Sequence, residues 1–361
     1  MLLFTTLPFS VGCAPLVGHY EPREDWSHAI FEADQPVEAT ADLDALVVMT
    51  WNLKFGGGRI DFWFDGYGER AVMTSDEATA NVEALRALIE EVDPDVLLAQ
   101  EVDIHSHRSA YVDMADTILN GTDLNWSAFV PNWEGQYIAD HGIGPMTTGL
   151  VVFSKHPITS NTRIDLGPIT EQEAYIKTFY LDRALQRVEV DLDGQTLTVL
   201  NHHPAAYATD GTKLDQINQS LDEAKTVDGH LLSGGDYNAV PPGSLRLSEF
   251  ADDPVALDER AVEIVTYEDD GPIMDPWYEA WNPAIPLEDY QVETEEEQQV
   301  FHTHSIASDV FWTRKLDFLF STGTWTDGRT LQKPEDTPGG ALDPMALSDH
   351  CPMVGTLSLE D

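Results

Sequence analysis

Short apolar runs that each end in a polar side chain recur along this chain, and they restrict its fold more than any other feature. Residues 46–51 read LVVMTW and lead into Asn52. Residues 95–100 read DVLLAQ and lead into Glu101. A short apolar run of this kind is typical of a strand buried on both faces. Between the two runs, apolar residues recur at helical spacing at Val82, Leu85, Leu88 and Ile89. The order of strand, helix and strand predicts an α/β domain.

The same rhythm continues to the C-terminus and predicts one large domain over residues 45–361. Residues 14–44 mix Pro and acidic residues without periodicity, so they are interpreted as a linker or surface arm. Residues from about 241 to 308 are acidic and contain Pro, which predicts an insertion with little regular structure. Further strands and one further helix are predicted at residues 149–154, 184–191, 197–200, 316–320 and 353–357, and at residues 214–224.

The N-terminal segment, residues 1–13, has the features of an export signal. It is apolar and ends in small residues before Cys13, although it contains no Lys or Arg. Such a start is typical of a signal peptide or a lipoprotein cleavage site. We therefore expect an extracytoplasmic protein, either secreted or lipid-anchored through Cys13. No other run reaches the roughly 18 apolar residues that a membrane span needs, which predicts a soluble body.

The chain is strongly acidic. Its 64 Asp and Glu residues outnumber 19 Lys and Arg residues, and the net charge of -45 is spread along the sequence. At long range such a field repels nucleic acid, anionic membranes and phosphorylated substrates unless salt or bound cations screen it. A nucleic-acid partner is therefore disfavoured, because a basic footprint is absent.

Polar residues stand at almost every predicted strand end, where burial is costly unless each polar group has a partner. This pattern predicts a shared site. Carboxylate and amide oxygens without clustered Cys are the ligands that Mg²⁺, Mn²⁺ and Ca²⁺ prefer, and histidines in such a site can assist the chemistry directly. The members of the set are Asn52, Glu101, Asn201, His203, Asp236, Asn238, Asp317, Asp349 and His350.

Five short motifs within this set lie in an order that resembles a known family. They read TWN at residues 50–52, QEVD at 100–103, GDYN at 235–238, KLDF at 315–318 and SDHCP at 348–352. Together they resemble the ordered motifs of the endonuclease/exonuclease/phosphatase superfamily, from about residue 46 to the C-terminus. The resemblance implies a DNase-I-like α/β fold, a four-layer sandwich of two packed mixed β-sheets flanked by helices, with the site at one edge.

The resemblance also implies roles in metal binding and proton transfer. Glu101 matches the family's principal metal carboxylate, with Asn52 beside it and Asp349 completing or supporting the metal shell. The metal would polarise a phosphoryl oxygen. His350 matches a histidine paired with a buried carboxylate, and Asp317 matches that carboxylate, which fixes the imidazole and favours its charged form.

Further matches concern the water and the phosphate. Asp236 and Asn238 match residues that orient the attacking water and stabilise the transition state. His203 matches the histidine of the family's Asn-x-His strand end and would contact the phosphate or help the leaving group. A register slip of one residue would put His202 in that place instead.

Basic residues are scarce, so their positions carry information. Arg108 follows the QEVD motif, Lys155 ends a predicted strand, and Arg183 precedes another. Together with Asn201, these side chains are candidates for binding the phosphate oxygens of a substrate. A zinc set is not predicted for four further histidines, which lack a ligand framework and are interpreted as surface residues: His105, His107, His302 and His304.

These features predict a divalent-metal-dependent phosphoesterase that hydrolyses a phosphodiester or phosphomonoester with Mg²⁺, or else Mn²⁺ or Ca²⁺. The substrate is expected to be a small phosphodiester, a phospholipid headgroup or nucleic acid, with nucleic acid disfavoured by the charge. One alternative is an extracellular nuclease that acts on DNA or RNA. Another is a non-catalytic, surface-anchored binding protein with the same fold. We expect a monomer without a stable protein partner.

Overall fold

Two β-sheets of seven strands each form the centre of the computed structural model, within the part of the chain that it describes. The structure describes residues 18, 20–65, 68–138, 140–169, 181–206, 208, 210–253, 266–268 and 272–360. The predicted export segment, residues 1–13, lies outside the described residues. The strands are β1 Arg23–Asp25, β2 Ile30–Glu32, β3 Leu46–Asn52, β4 Val96–Asp103, β5 Trp126–Ile138, β6 Gly144–Ser154, β7 Ile158–Asp165, β8 Ala184–Leu192, β9 Gln195–His202, β10 His230–Asp236, β11 Asn282–Pro283, β12 Asp317–Ser321, β13 Thr324–Thr330 and β14 Met353–Ser358. The helices are α1 Ser75–Val92, α2 Met114–Gly121, α3 Thr212–Ala224, α4 Asp275–Ala280, α5 Leu287–Tyr290, α6 Glu295–Gln298 and α7 Pro344–Leu347.

Both sheets mix parallel and antiparallel strands. Sheet I has the order β1-β7-β8-β9-β10-β12-β11, and sheet II has the order β13-β14-β3-β4-β6-β5-β2. In sheet I, β9 and β10 are parallel, whereas β12 pairs antiparallel with β10. In sheet II, β3 and β4 are parallel, whereas β14 pairs antiparallel with β3. Each sheet therefore has one central parallel pair whose carboxyl ends point the same way.

Alternate residues of the central strands fill the space between the sheets, because successive side chains point to opposite faces. Leu46 and Val48 of β3 lie in one buried cluster with Val199 of β9 and Leu232 of β10. Trp51 of β3 lies in a different cluster, on the outer face of sheet II. Burial on both faces explains why these strands are continuously apolar in sequence.

Helices cover the outer faces of both sheets. Helices α1 and α2 pack on sheet II through a cluster that contains Leu85 and Ile118. Helices α3 and α4 pack on sheet I through a cluster that contains Ile217 and Trp277. The predicted four-layer α/β sandwich is thereby confirmed. Among the described helices, none is both long and apolar enough to cross a membrane.

The described part of the predicted linker or surface arm, residues 14–44, lies on the surface but also pairs with both sheets. Strand β1 extends sheet I beside β7, and β2 extends sheet II beside β5. Asn161 Nδ2 of β7 donates to Trp26 O (3.1 Å) in the turn between them. The arm therefore joins the two sheets at one edge. Strands of three residues are too short to show a period, so the sequence pattern did not predict them.

The predicted irregular insertion, residues 241–308, contains only short elements in its described part, namely β11 and α4 to α6. It is nevertheless packed against the fold, since β11 pairs with β12 and α4 covers sheet I. Its last residues reach the edge where β14 begins. Ser305 N donates to Asp349 O (3.0 Å), and Cys351 N donates to Thr303 O (2.7 Å).

Candidate active site

The carboxyl ends of the two parallel strand pairs meet at one edge of the sandwich. Strand β3 ends at Asn52, next to Glu101 near the end of β4. Strand β9 leads into His203, and β10 ends at Asp236. Asn52 Nδ2 donates both to Glu101 Oε1 (3.2 Å) and to Asp236 Oδ2 (3.1 Å). One amide therefore bridges the two sheets across the site.

Two antiparallel strands begin at this same edge and supply the remaining groups. Asp317 is the first residue of β12 and lies in register opposite Asp236 of β10. His350 comes three residues before Met353 of β14, which lies opposite Thr50 of β3. Strand direction alone therefore brings the predicted catalytic carboxylates and histidines together.

Two site residues have left-handed backbone conformations. Glu101 has a φ of 55° and lies where the register between β4 and β6 shifts, which marks a β-bulge. Asn238 has a φ of 51°, and its Nδ2 donates to Pro204 O (3.0 Å). Such conformations cost non-glycine residues about 1–3 kcal/mol and gather at functional sites. The bulge re-aims the Glu101 side chain relative to the regular strand.

His350 is held between two carboxylates. Its Nδ1 lies 2.8 Å from Asp317 Oδ2, and its Nε2 lies 3.5 Å from Asp236 Oδ2. Burial lowers the pKa of His350, but the two negative charges and the hydrogen bond outweigh burial and raise the pKa to about 10. The ring is therefore protonated at neutral pH, and both of its nitrogens can donate hydrogen bonds.

The register of β9 places His203, rather than His202, at the site. The His202 ring points to the outer face of sheet I, where it stacks on Tyr237 with ring centroids 4.5 Å apart. Its Nε2 lies 2.7 Å from Ser233 Oγ. Because successive residues of a strand face opposite sides, the next residue, His203, faces inward.

His203 completes the polar contacts at this edge. Its Nε2 lies 3.7 Å from Glu101 Oε1 and 3.6 Å from Asp236 Oδ2. Burial, together with the positive charges of Arg183 and His350, holds the pKa of His203 well below its usual value. The site therefore contains one protonated and one neutral histidine.

Asp236 lies at the centre of the network. Its Oδ2 accepts from Asn52 Nδ2 (3.1 Å), and its Oδ1 accepts from Asn238 N (2.8 Å). Burial and the negative charge of Asp317 raise the pKa of Asp236 to about 7, although the positive charge of His350 opposes them in part. A carboxyl group with this pKa exchanges a proton readily at neutral pH.

The donor set around Glu101 fits a hard divalent cation. Burial and the negative charge of Asp349 both raise the pKa of Glu101, and Arg108 opposes them only in part. A bound cation relieves the repulsion between crowded, half-buried carboxylates of this kind. The oxygens of Glu101, Asn52 and Asp349 are the donor type that Mg²⁺, Mn²⁺ and Ca²⁺ take. These three residues therefore suit the metal role that the sequence resemblance implied.

A second group could also be considered for a metal. In the part of the chain that the structure describes, Asp236, Asp317 and His350 are the one set of three whose ligand atoms all lie within 4.8 Å of one another. A histidine binds a metal through a deprotonated nitrogen. Since His350 is protonated and both of its nitrogens face carboxylates, this group already contains its own cation.

Lys54 and Asp65 belong to the site, although sequence reasoning missed them. Lys54 Nζ lies 2.9 Å from Asp65 Oδ2 and 3.4 Å from Asp349 Oδ2. Burial raises the pKa of Asp349, but the positive charges of Lys54, His350 and Arg59 outweigh burial and lower the pKa. The sequence signal for Lys54 was its position two residues after Asn52, the last residue of the TWN motif.

Two of the predicted substrate-binding cations lie beside the site. Arg183 Nη1 donates to His203 O (3.3 Å), and no carboxylate pairs with this guanidinium among the described residues. Arg108 forms two hydrogen bonds with Asp103 (2.9 Å each), and its guanidinium lies over the Phe55 ring. Among the described residues, Arg183 therefore lies beside the site without a carboxylate partner, whereas Arg108 is paired with Asp103.

The other two predicted substrate-binding residues lie elsewhere. Lys155 follows β6 at the edge where β4 begins, opposite to the site, and pairs with Asp93 (2.8 Å) and Asp95 (3.3 Å). Asn201 points between the sheets, where its Oδ1 accepts from Gln100 Nε2 (2.8 Å). The structure does not bring either residue to the site, because a local sequence pattern shows where a strand ends but not which edge or face of the sheet a side chain joins.

Of the four histidines that were interpreted as surface residues, one is buried and one packs against the site. His105 is exposed and His107 is half-buried. His302 is 7% exposed. His304 packs against His350, with ring centroids 4.5 Å apart. The surface interpretation is therefore wrong for His302, and His304 is half-buried against the site, because the end of the insertion folds onto it.

A model of the endonuclease/exonuclease/phosphatase family matches residues 49–350. The chain belongs to this family. The matched stretch contains every residue of the site described above, so the family resemblance of the sequence motifs is confirmed. A search of curated proteins found no match.

Solved structures share the fold. A family protein from Leptotrichia buccalis C-1013-b is 14% identical with a TM-score of 0.52, and the match covers 87% of this chain and 99% of that chain. A family protein from Bacteroides vulgatus is 13% identical with a TM-score of 0.52, over 88% of this chain and 99% of that chain. Truncated Caenorhabditis elegans TDP2 is 15% identical with a TM-score of 0.50, over 88% and 99%. At these identities the likeness shows the fold alone.

Proposed function

We propose that this protein is a divalent-metal-dependent phosphoesterase that hydrolyses a phosphodiester or phosphomonoester. The observation that carries the proposal is the convergence of five groups on one edge: Glu101, His203, Asp236, Asp317 and His350. A binding protein that had kept only the fold would be expected to lose at least one of these groups. Their joint presence therefore supports an enzyme.

A divalent ion held by Glu101, Asn52 and Asp349 would polarise a phosphoryl oxygen and neutralise part of its charge. We propose Mg²⁺, with Mn²⁺ or Ca²⁺ as substitutes, because the donors are carboxylate and amide oxygens without a thiolate.

The protein's own groups orient the reactants and move the proton. Asp236, with a pKa of about 7, accepts a proton from the attacking water at neutral pH. The water oxygen bonds to phosphorus as the bond from phosphorus to the leaving oxygen breaks. The His350 imidazolium, fixed by Asp317, stabilises the negative charge that develops on the phosphoryl oxygens. His203 faces the same space and orients the phosphate by hydrogen bonding.

A small phosphodiester or a phospholipid headgroup suits this site better than nucleic acid. The net charge of -45 repels a polyanion. Lys54 and Arg108 are committed to carboxylates, which leaves Arg183 as the guanidinium placed to bind phosphate. One guanidinium and one metal ion match a single phosphate group, whereas binding of nucleic acid requires several cations along its backbone.

A substrate panel tests this proposal. The panel comprises plasmid DNA, RNA, sphingomyelin, an inositol phosphate and bis-p-nitrophenyl phosphate, each with Mg²⁺ or Mn²⁺ at low and high salt. We expect turnover of a small or lipid phosphoester and a raised KM in Arg183→Gln. Lys155→Gln, which removes a cation from the opposite edge, is the matched control and should keep its KM. Turnover confined to DNA or RNA would favour the nuclease alternative. If the folded protein turned over none of the substrates, a binding protein would be favoured.

A further inference from the structure

A lysine ammonium lies among the carboxylates of the site. Lys54 is 3% exposed. Its Nζ contacts Asp65 Oδ2 (2.9 Å) and Asp349 Oδ2 (3.4 Å). Neither catalysis nor the metal role described above uses this ammonium. A buried lysine at such a position therefore requires its own explanation.

The backbone is shaped to present this side chain. Lys54, Phe55 and Gly56 have consecutive positive φ angles of 43°, 45° and 71°. Such angles are unfavourable for the two non-glycine residues. A Cβ at Gly56 would also lie 2.8 Å from Val82 Cγ2, so glycine is required there. This strained turn begins two residues after Asn52 and directs Lys54 inward.

The same ammonium relieves a repulsion that a metal ion would relieve. Asp65 Oδ2 (2.9 Å) and Asp349 Oδ2 (3.4 Å) contact the same Nζ, so without a cation between them the two carboxylates would repel each other. In two-metal phosphoesterases, the ions lie about 3.5–4 Å apart and act together on the attacking and leaving oxygens. Asp349 contacts Lys54 and also belongs to the oxygen donors proposed for the metal ion, so it would be shared between two cations. Asp65 provides a further oxygen on the Lys54 side.

We propose that the Lys54 ammonium takes the place of a second divalent ion, so that the site binds a single metal ion, held by Glu101, Asn52 and Asp349. This inference rests on the proposed metal-dependent function. A covalently attached charge keeps Asp65 and Asp349 paired with a cation at any concentration of free metal. It also keeps the loop that carries Asp65 on the site while no metal is bound.

The test is the number of Mn²⁺ ions bound tightly at physiological salt, measured by isothermal titration calorimetry on the EDTA-stripped full chain. We expect one ion in the wild type, lost in Glu101→Gln. Lys54→Met should bind two ions, because Asp65 and Asp349 become available. The double variant Lys54→Met, Asp349→Asn should return to one ion.

Lys155→Met is the matched control, because it also removes a lysine held between two carboxylates but lies at the opposite edge. It should bind one ion. Two tight ions in the wild type, or one ion in folded Lys54→Met, would overturn the inference. Absence of binding in the wild type would instead remove the proposed metal-dependent function. Lys54→Gln, which keeps a polar group at this position, gives a second count if Lys54→Met does not fold, and circular dichroism checks the fold of each variant.

Discussion

At the scale of single residues, the neighbours of each buried group decide its charge. His350 and His203 are both buried in the same site, yet only His350 is protonated, because Asp317 Oδ2 lies within hydrogen-bonding distance of its Nδ1 (2.8 Å). The carboxylates nearest His203 lie 3.6 Å and 3.7 Å away. Burial, together with the nearby positive charges of Arg183 and His350, lowers the pKa of His203 and keeps it neutral. One residue type therefore supplies both a cation and a neutral hydrogen-bonding group.

Asp317→Asn should lower the pKa of His350 from about 10 toward its ordinary value, because the closest negative charge is removed. The wild type keeps the imidazolium through pH 8, whereas the variant loses it as the pH rises through the lowered pKa. We expect kcat to fall about 10²-fold to 10³-fold at pH 8. NMR titration of the His350 ring and kcat against pH measure the two effects. Asp327→Asn, at an exposed position, is the control, and an unchanged His350 pKa in Asp317→Asn would contradict this role.

Asp165 should make stability depend on pH. Burial, a hydrogen bond with Asp182 and the charge of Asp182 raise the pKa of Asp165 to about 7. The protonated form is therefore favoured in the folded state, and its stabilising contribution is present below pH 4 and lost as the pH rises through 7. Asp165→Asn should raise Tm by a few degrees at pH 8 and have little effect at pH 4. Thermal unfolding at both pH values checks this, and an equal loss of Tm at both would be evidence against it.

At the scale of elements, strand direction determines where the site lies. The apolar strands that lead to it could be predicted from the sequence. β5 and β7 were not predicted, because they contain polar residues that are buried against partners on other strands. Arg163 and Asn161 of β7 are fully buried. Arg163 Nε donates to Pro131 O (2.9 Å), and Asn161 Nδ2 donates to Phe129 O (2.9 Å). A local pattern does not contain these tertiary partners.

The layer between the sheets also contains a chain of amide side chains. Gln100 Nε2 donates to Asn201 Oδ1 (2.8 Å), and Asn201 Nδ2 lies 3.4 Å from Gln186 Oε1. Gln186 Nε2 donates to Asn161 Oδ1 (3.1 Å). The chain links β4 of sheet II to three strands of sheet I, so its role is to hold the sheets in register.

Asn201→Ala should lower the free energy of unfolding by about 1–3 kcal/mol, because buried partners lose their hydrogen bonds. KM should stay close to the wild-type value, since Asn201 does not reach the site. Urea denaturation and steady-state kinetics provide the two readings, and Gln136→Ala at an exposed position is the control. A several-fold rise in KM without loss of stability would instead support a substrate-binding role for Asn201.

At the scale of the whole molecule, a negative surface surrounds a site that contains several buried cations. The net charge is -45, yet Lys54, Arg108, Arg183 and Lys315 are all nearly inaccessible to solvent. The sequence predicted the acidity and, through the family motifs, the two-sheet sandwich and most of the site. It did not predict the Lys54 contacts, because Asp349 is far away in sequence and Asp65 has no motif.

Salt should affect charged and uncharged substrates differently. Between 0.01 and 0.15 M ionic strength the screening length falls from about 30 Å to about 8 Å. At saturating Mg²⁺, kcat/KM for an anionic phosphoester should therefore rise with salt, because repulsion during approach is screened. A zwitterionic phospholipid headgroup should show little change. A fall in kcat/KM for the anionic substrate would indicate a positive approach path, contrary to this account.

The most direct test of the central claim is metal-dependent hydrolysis of bis-p-nitrophenyl phosphate by EDTA-stripped protein. The account predicts that added Mg²⁺ or Mn²⁺ starts turnover, and that Glu101→Gln lowers kcat at least about 10²-fold while the fold is retained. Glu296→Gln, at an exposed position, should match the wild type. Turnover that persists in EDTA, or wild-type turnover in Glu101→Gln, would contradict the account.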